Sequence, residues 1–241
     1  MGSSPRGYPQ VERLVAPNPG PMTLDGTNTY LYGADPCVVV DPGPRSAAHL
    51  EAILSSGERR GGIGAVLLTH SHADHSEGAA DIGAEVVALA CGSKRGGLWA
   101  LATPGHAPDH VCLLSDDGVC FSGDLILGSG STLVPPDGGS LSAYMESLHR
   151  LRGERLSLIC PGHGTWITKP KDKIDEYLEH RRSRERSLLT ALERGERSRS
   201  KLLDEVWSDV PARLRPAAGV VMEAHLEKLA SEGRLPDDLV N

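Results

Sequence analysis

The chain has 241 residues, with 25 Lys+Arg against 32 Asp+Glu, a formal charge of −7, ten His and only one Phe, three Trp and five Tyr. That length suits one large domain, or one domain with a small appendage. No apolar run reaches the roughly 18–20 residues of a membrane span, and MGSSPRGYPQ at the N-terminus lacks the apolar stretch of a secretory signal.

Residues 28–32 (NTYLY) and 37–41 (CVVVD) read as strands around a turn at 33–36. A short helix is expected over 46–55, then a Gly-rich 57–64, then an apolar strand, 65–69, running directly into His70. Further strands are expected at 84–90, 98–102, 111–115 and 119–122, the last two joined by an Asp116-Asp117-Gly118 turn. Leu141, Tyr144, Met145 and Leu148 have helical spacing within 140–151, and 156–160 is a last short strand before Pro161-Gly162-His163-Gly164. From Pro170 the texture turns helical, with helices expected over 171–194, 200–207 and 211–232 and stops at Gly195 and Gly233. The division expected is therefore 1–168, strands with interspersed helices, and 169–241, helices alone.

Charge divides along the chain as well. Residues 1–149 carry 7 basic and 16 acidic side chains, whereas 150–201 carry 14 basic and 8 acidic. The basic run Arg181, Arg182, Arg184, Arg186 can attract phosphates, or form a solvated helix face with the interleaved Glu179, Glu185, Glu193 and Glu196. Five scattered Cys without CxxC spacing argue against a disulfide framework or a zinc ribbon, so buried free thiols in a reducing cytoplasm are expected.

Chemistry concentrates after the strand 65–69. His70, His72, Asp74 and His75 offer four metal-ligand types within six residues, and neutral imidazole with carboxylate suits zinc or another first-row divalent ion. His106, in TPGHAPDH, Asp124, after Ser122-Gly123, and His163, in PGHG, add three more in turn-rich contexts. Thr27, Asn28 and Thr29 present short polar groups that either line a site or make an ordinary turn. His49, His149, His180 and His225 fall in expected helices and read as surface residues.

This arrangement resembles the metallo-β-lactamase superfamily, through His70, His72, Asp74, His75, His106, Asp124 and His163, with Asp41 at the preceding strand end. The resemblance implies an α+β fold, an αββα sandwich with a dinuclear site at the sheet edges. It implies that His70, His72 and His106 hold one metal, that Asp74, His75 and His163 hold the other, and that Asp124 bridges them. Two Zn2+ are implied, with Mn2+ or Fe2+ as alternatives. A bridging hydroxide formed at neutral pH would attack a carbonyl or phosphorus. Asp74, Asp124 and His110 are the expected catalytic residues, His110 as a substrate contact or proton donor to the leaving group. Asp41 is expected to orient a ligand imidazole.

NPGPMTLDGTNTYLYG (18–33) narrows the resemblance to the β-lactamase-like protein 2 group, and LRPAAGVVMEAHLEKLASEGRL (214–235) resembles the last helix of that group's winged-helix-like C-terminal domain. Only 31 positions separate His75 from His106, fewer than such relatives have. The group implies single-stranded RNA as substrate. Thioester hydrolysis of the glyoxalase II or acyl-carrier type is the alternative, with weak β-lactamase activity beside it. Two other classes compete. An iron persulfide dioxygenase is disfavoured by the second set of ligands. A nucleic-acid binding module is disfavoured by Glu223, Glu227 and Glu232 on the last helix. No membrane partner is expected, and a homodimer is kept open.

Overall fold

Alternation within short apolar strands sets the architecture. In the computed structural model, which describes residues 2–240, β1 (Val11–Val15), β2 (Asn28–Tyr32), β3 (Cys37–Val40), β4 (Ile63–Leu67) and β5 (Val86–Val87) form one sheet in that order. β6 (Lys94–Arg95), β7 (Leu98–Ala102), β8 (Val111–Ser115), β9 (Val119–Gly123) and β10 (Leu158–Pro161) form the second. Val38 and Val40 point between the sheets, towards Leu113 and Phe121, while Cys37 and Val39 point outward. Both faces are therefore buried, which is why these strands read as continuous apolar runs. The chain's one Phe, Phe121, sits at the centre of the sandwich, 5.2 Å from the Tyr30 ring.

Helices cover the outer faces. Ile53 of α1 (Ala47–Arg59) packs with Leu31, Val39 and Val66 of the first sheet. α2 (Ala73–Ser76) is a single turn after β4. Tyr144 and Leu148 of α3 (Leu141–Arg152) pack on Cys112, Leu114 and Cys120 of the second sheet. α4 (Pro170–Glu193) starts with Pro at its first turn, where a missing N–H costs nothing. Its Ile174, Tyr177 and Leu178 join that same sheet core. Its Leu188 and Leu192 instead join a third core with α5 (Arg199–Val206) and α6 (Arg215–Ser231). The expected αββα sandwich with a helical C-terminal part is the fold observed.

Several expectations change. No strand is expected over 11–15, yet VERLV forms β1 and buries Val11 and Leu14 against the sheet. The strand expected over 84–90 contracts to Val86–Val87, an edge strand with a single neighbour and Val86 exposed. The short stretch between His75 and His106 holds β5 and β6, the edge strands of the two sheets, so the chain crosses between sheets there. The last helix starts at Arg215 rather than 211, behind a 3-10 turn at Ala212–Leu214. Cys91 is exposed, while the other four thiols are buried, and none is paired. Among the described residues no helix is long and apolar enough to cross a membrane.

Candidate metal centre

Strand ends carry every member of the cluster but His106, which the loop between β7 and β8 delivers. β4 delivers His70, His72 and, on α2, Asp74 and His75; β9 delivers Asp124 and β10 delivers His163. His72 Nδ1 lies 3.1 Å from His70 Nε2 and 3.0 Å from His106 Nε2. His163 Nε2 lies 3.3 Å from Asp74 Oδ2 and 3.4 Å from Asp124 Oδ1. Asp124 stands between these groups, with Oδ2 3.5 Å from His106 Nε2 and Oδ1 3.4 Å from His75 Nε2. Ligand atoms of His70, His72 and His106, of His70, His75 and Asp124, and of Asp74, His75 and His163 each lie within 4.8 Å of one another.

The outward nitrogens are fixed by the fold. His106 Nδ1 donates to the Leu133 carbonyl at 2.7 Å, and His163 Nδ1 to the Gly26 carbonyl at 3.3 Å. Thr69 Oγ1 donates to Asp41 Oδ2, so it accepts from His70 Nδ1 at 3.0 Å. His75 Nδ1 meets Asp41 Oδ2 at 2.9 Å. Asp41 itself is buried and also accepts the Thr69 backbone N–H. Four imidazoles are thus held by Nδ1 and aim Nε2 inward, the orientation a cation needs. His75 Nε2 and Asp124 Oδ1 are buried, face each other and have no hydrogen-bond partner. Orphaned acceptors at the centre of a His/Asp cluster fit a bound cation, because they are otherwise costly to bury.

The electrostatics divide the cluster: burial favours neutral His70 and His106, whereas for His75 and His163 burial is outweighed by the carboxylates, which raise both. Burial lowers His70 and His106 and keeps them neutral. Burial also pulls His163 down, but the Asp124 and Asp74 carboxylates, 3.4 and 3.3 Å from its Nε2, outweigh it and hold the ring up at about 9. Asp124 is pushed up by burial, but His75 and His163 together hold it well below the usual carboxylate range. A divalent cation entering the cluster would displace the protons that these pairs otherwise share.

Gly162 has room for no side chain. A Cβ there would stand 2.6 Å from both Asp124 Oδ1 and His75 Cε1. The Asn28 amide clamps the same loop, donating to Pro161 O at 2.8 Å and Gly164 O at 2.7 Å. Thr27, Asn28 and Thr29 are fully buried and do not line the pocket. They tie strands to the ligand loops instead.

His110 is placed differently from the role expected of it. Its Nε2 accepts the Asp124 backbone N–H at 3.2 Å, its Nδ1 meets Thr103 Oγ1 at 2.9 Å, and its ring is buried. Burial lowers the ring to about 3, and with Nε2 accepting from the Asp124 backbone its one N–H faces Thr103 rather than the pocket, so it braces Asp124 from behind. His49 is also buried, contacting Thr29 Oγ1 at 2.8 Å, and Thr29 Oγ1 in turn donates to Asp41 O. His225 is buried too, so neither is a surface residue. Sequence patterning could not mark Thr69, Thr103 or Leu133, whose parts depend on contacts made only in the fold.

The site opens into a pocket of about 180 Å³ lined by Met22, Leu127, Thr132 and Leu133 beside the ligands. The basic run near it disperses. Arg182 contacts His149, Arg184 pairs with Asp209, Arg186 pairs with Glu179, and Arg181 is buried. No continuous phosphate-binding face results.

Comparisons with known proteins agree with this geometry. The family model described as "Metallo-beta-lactamase superfamily" matches residues 22–91 and 89–163, and the "Beta-lactamase associated winged helix domain" model matches 199–238. The chain is 33% identical to the beta-lactamase-like protein 2 homolog of Drosophila melanogaster, over 93% of this chain and 89% of that one. It is 32% identical to the atrochrysone carboxyl ACP thioesterase of Aspergillus fumigatus, over 97% of this chain and 76% of that one. A solved metallo-beta-lactamase family protein from Thermus thermophilus superposes with a TM-score of 0.76 at 23% identity, covering 94% of this chain and 95% of that one.

Proposed function

The chain belongs to the metallo-β-lactamase superfamily, a hydrolase with relatives of the β-lactamase-like protein 2 kind, and from that premise we propose that it hydrolyses acyl thioesters. The observation that carries this reading is the apolar lining of the space beside the ligand cluster, where Met22, Leu127 and Leu133 meet the site. It is supported by a relative of nearly full coverage named as an acyl-carrier thioesterase. The single-stranded RNA reading has no comparable support, since the arginines of α4 are taken up locally.

In this reading His70, His72 and His106 would hold one divalent ion and Asp74, His75 and His163 the other, with Asp124 available to both. Two bound ions would supply a nucleophile at neutral pH and polarise the ester carbonyl. The chain's own residues do the positioning. Asp41 and Thr69 fix His75 and His70, the Leu133 carbonyl fixes His106, and His110 fixes the Asp124 backbone. Leu127 and Leu133 exclude water from the acyl side. We take 1–168 as the catalytic unit and 169–241 as the helical unit. The five unpaired thiols support a reducing, cytoplasmic setting.

A panel of an acyl thioester, labelled single-stranded RNA and a chromogenic cephalosporin tests the reading, alongside elemental analysis for zinc, manganese and iron. Expected are about two metal ions per chain, thioester turnover lost with chelator, and loss of both in Asp124→Ala. Cleavage of RNA with the thioester untouched would overturn it.

A further inference from the structure

A second cavity, of about 360 Å³, lies between the sandwich and the C-terminal helices. It continues the pocket at the ligand cluster, sharing Met22, Leu127, Thr132 and Leu133 with it. Its helical wall is apolar, built by Trp207, Ala217, Ala218 and Val221. Against this wall stands Arg181, which lines the cavity yet is only 2% exposed.

Arg181 is the anomaly. Its Nη2 donates to the Thr132 carbonyl, its guanidinium lies 5.3 Å over the Tyr144 ring, and its Nε is buried with no acceptor. No carboxylate pairs with it among the described residues. Nearby acids are committed elsewhere: Asp209 to Arg184 at 2.7 Å, and Glu185 to Lys228 at 2.8 Å. A guanidinium cannot shed its proton to escape burial, and a buried charge without a counter-ion is costly to keep. Arg184 and Asp209 also line the cavity but neutralise each other, so Arg181 is its one charge without a partner carboxylate. A mostly apolar cavity with a few convergent polar groups is the usual form of a small-molecule site.

We propose that this cleft is an acyl subsite for substrates whose apolar body carries a carboxylate, with Arg181 receiving that carboxylate. The planar guanidinium suits a carboxylate's two oxygens, and the Trp207 wall suits the apolar body. The proposal deepens the thioesterase reading and rests on it for the bond that is cut. The cleft's own preference is measured without turnover, so the two fail separately.

The test is isothermal titration of the full chain with octanoate and with its neutral counterpart octanamide, before and after metal is stripped by chelator. Octanoate is expected to bind at least tenfold tighter in both states. Arg181→Met is expected to bring the two ligands level. Ala217→Trp, at a half-buried wall position, fills the cleft and is expected to abolish binding of both. It also serves if Arg181→Met does not fold. Equal binding of the two ligands to the unmodified chain overturns the proposal. So does a preference that vanishes when metal is stripped, since the carboxylate would then sit on the metal. Failure of octanoate to bind, or octanoate binding unchanged in Ala217→Trp, overturns it as well.

Discussion

At the residue scale, the ligands matter less individually than what holds them. Asp41 has a positive φ of 50°, accepts from Thr69 through both carboxylate oxygens and meets His75 Nδ1 at 2.9 Å. Asn tolerates that backbone conformation, so Asp41→Asn keeps the chain path. It replaces one acceptor oxygen with an NH2 donor, which cannot satisfy Thr69 and His75 together. Losing such a partner typically costs 10–100-fold in metal affinity. Asp41→Asn is therefore expected to fold normally by circular dichroism and to bind zinc roughly 10–100-fold more weakly in a competition titration. Unchanged affinity would show that His75 needs no such support. The His/Asp types and their strand-end placement were legible in the sequence because spacing alone displays them. Asn28, His49 and Thr69 were not, because their hydrogen bonds join segments far apart in sequence, or residues that any turn would carry. His110 was seen near the site, but which way its nitrogens faced depended on Thr103 and the Asp124 backbone.

At the element scale, α4 is the informative case. A change of texture at Pro170 suggested a boundary, and the sheets do end at Pro161. Periodicity marks which residues of a helix are apolar, but not that the two halves of one stripe serve different partners. Ile174, Tyr177 and Leu178 fill the outer face of the second sheet, and Leu188 and Leu192 fill the C-terminal core. Tyr177 also reaches the loop after Asp124, donating to Gly130 O at 2.9 Å and accepting from Leu127 N at 3.1 Å. Burying each large apolar side chain is worth about 1.5–3 kcal/mol. Three of them approach the whole stability of an ordinary domain, about 5–15 kcal/mol. A chain cut after residue 168 is therefore expected not to fold, whereas one that keeps α4 retains the sheet's cover. Limited proteolysis and near-ultraviolet circular dichroism of the 1–168 fragment check this. A protease-resistant fragment with fixed tertiary signal would mean that the sandwich closes without α4.

At the scale of the whole molecule, a helix shared by two cores couples their stabilities, and His225 gives that coupling a pH dependence. The ring is fully buried on α6, neither nitrogen has a hydrogen-bond partner, and Trp207 lies 5.9 Å away. Burial, then the charges of Arg181 and Lys228, lowers it to about 3, although Glu185 stands 4.0 Å from Nδ1. The unfolded chain titrates this group near 6.5. The folded value lies below the unfolded one, so the unfolded state binds the proton more readily. The stability that neutral His225 contributes is thus complete above about pH 6.5 and declines as pH falls towards 3. By pH 5 the loss is about 2 kcal/mol. Acid also weakens metal retention, so the comparison has to isolate this residue. Urea unfolding of the chelator-treated protein at pH 7 and pH 5, followed by Trp fluorescence and circular dichroism, supplies it. The unmodified chain is expected to unfold in one transition by both probes and to lose about 2 kcal/mol more between these pH values than His225→Leu. Equal losses would place the acid sensitivity elsewhere. Two separate transitions would mean that the cores joined by α4 do not unfold together.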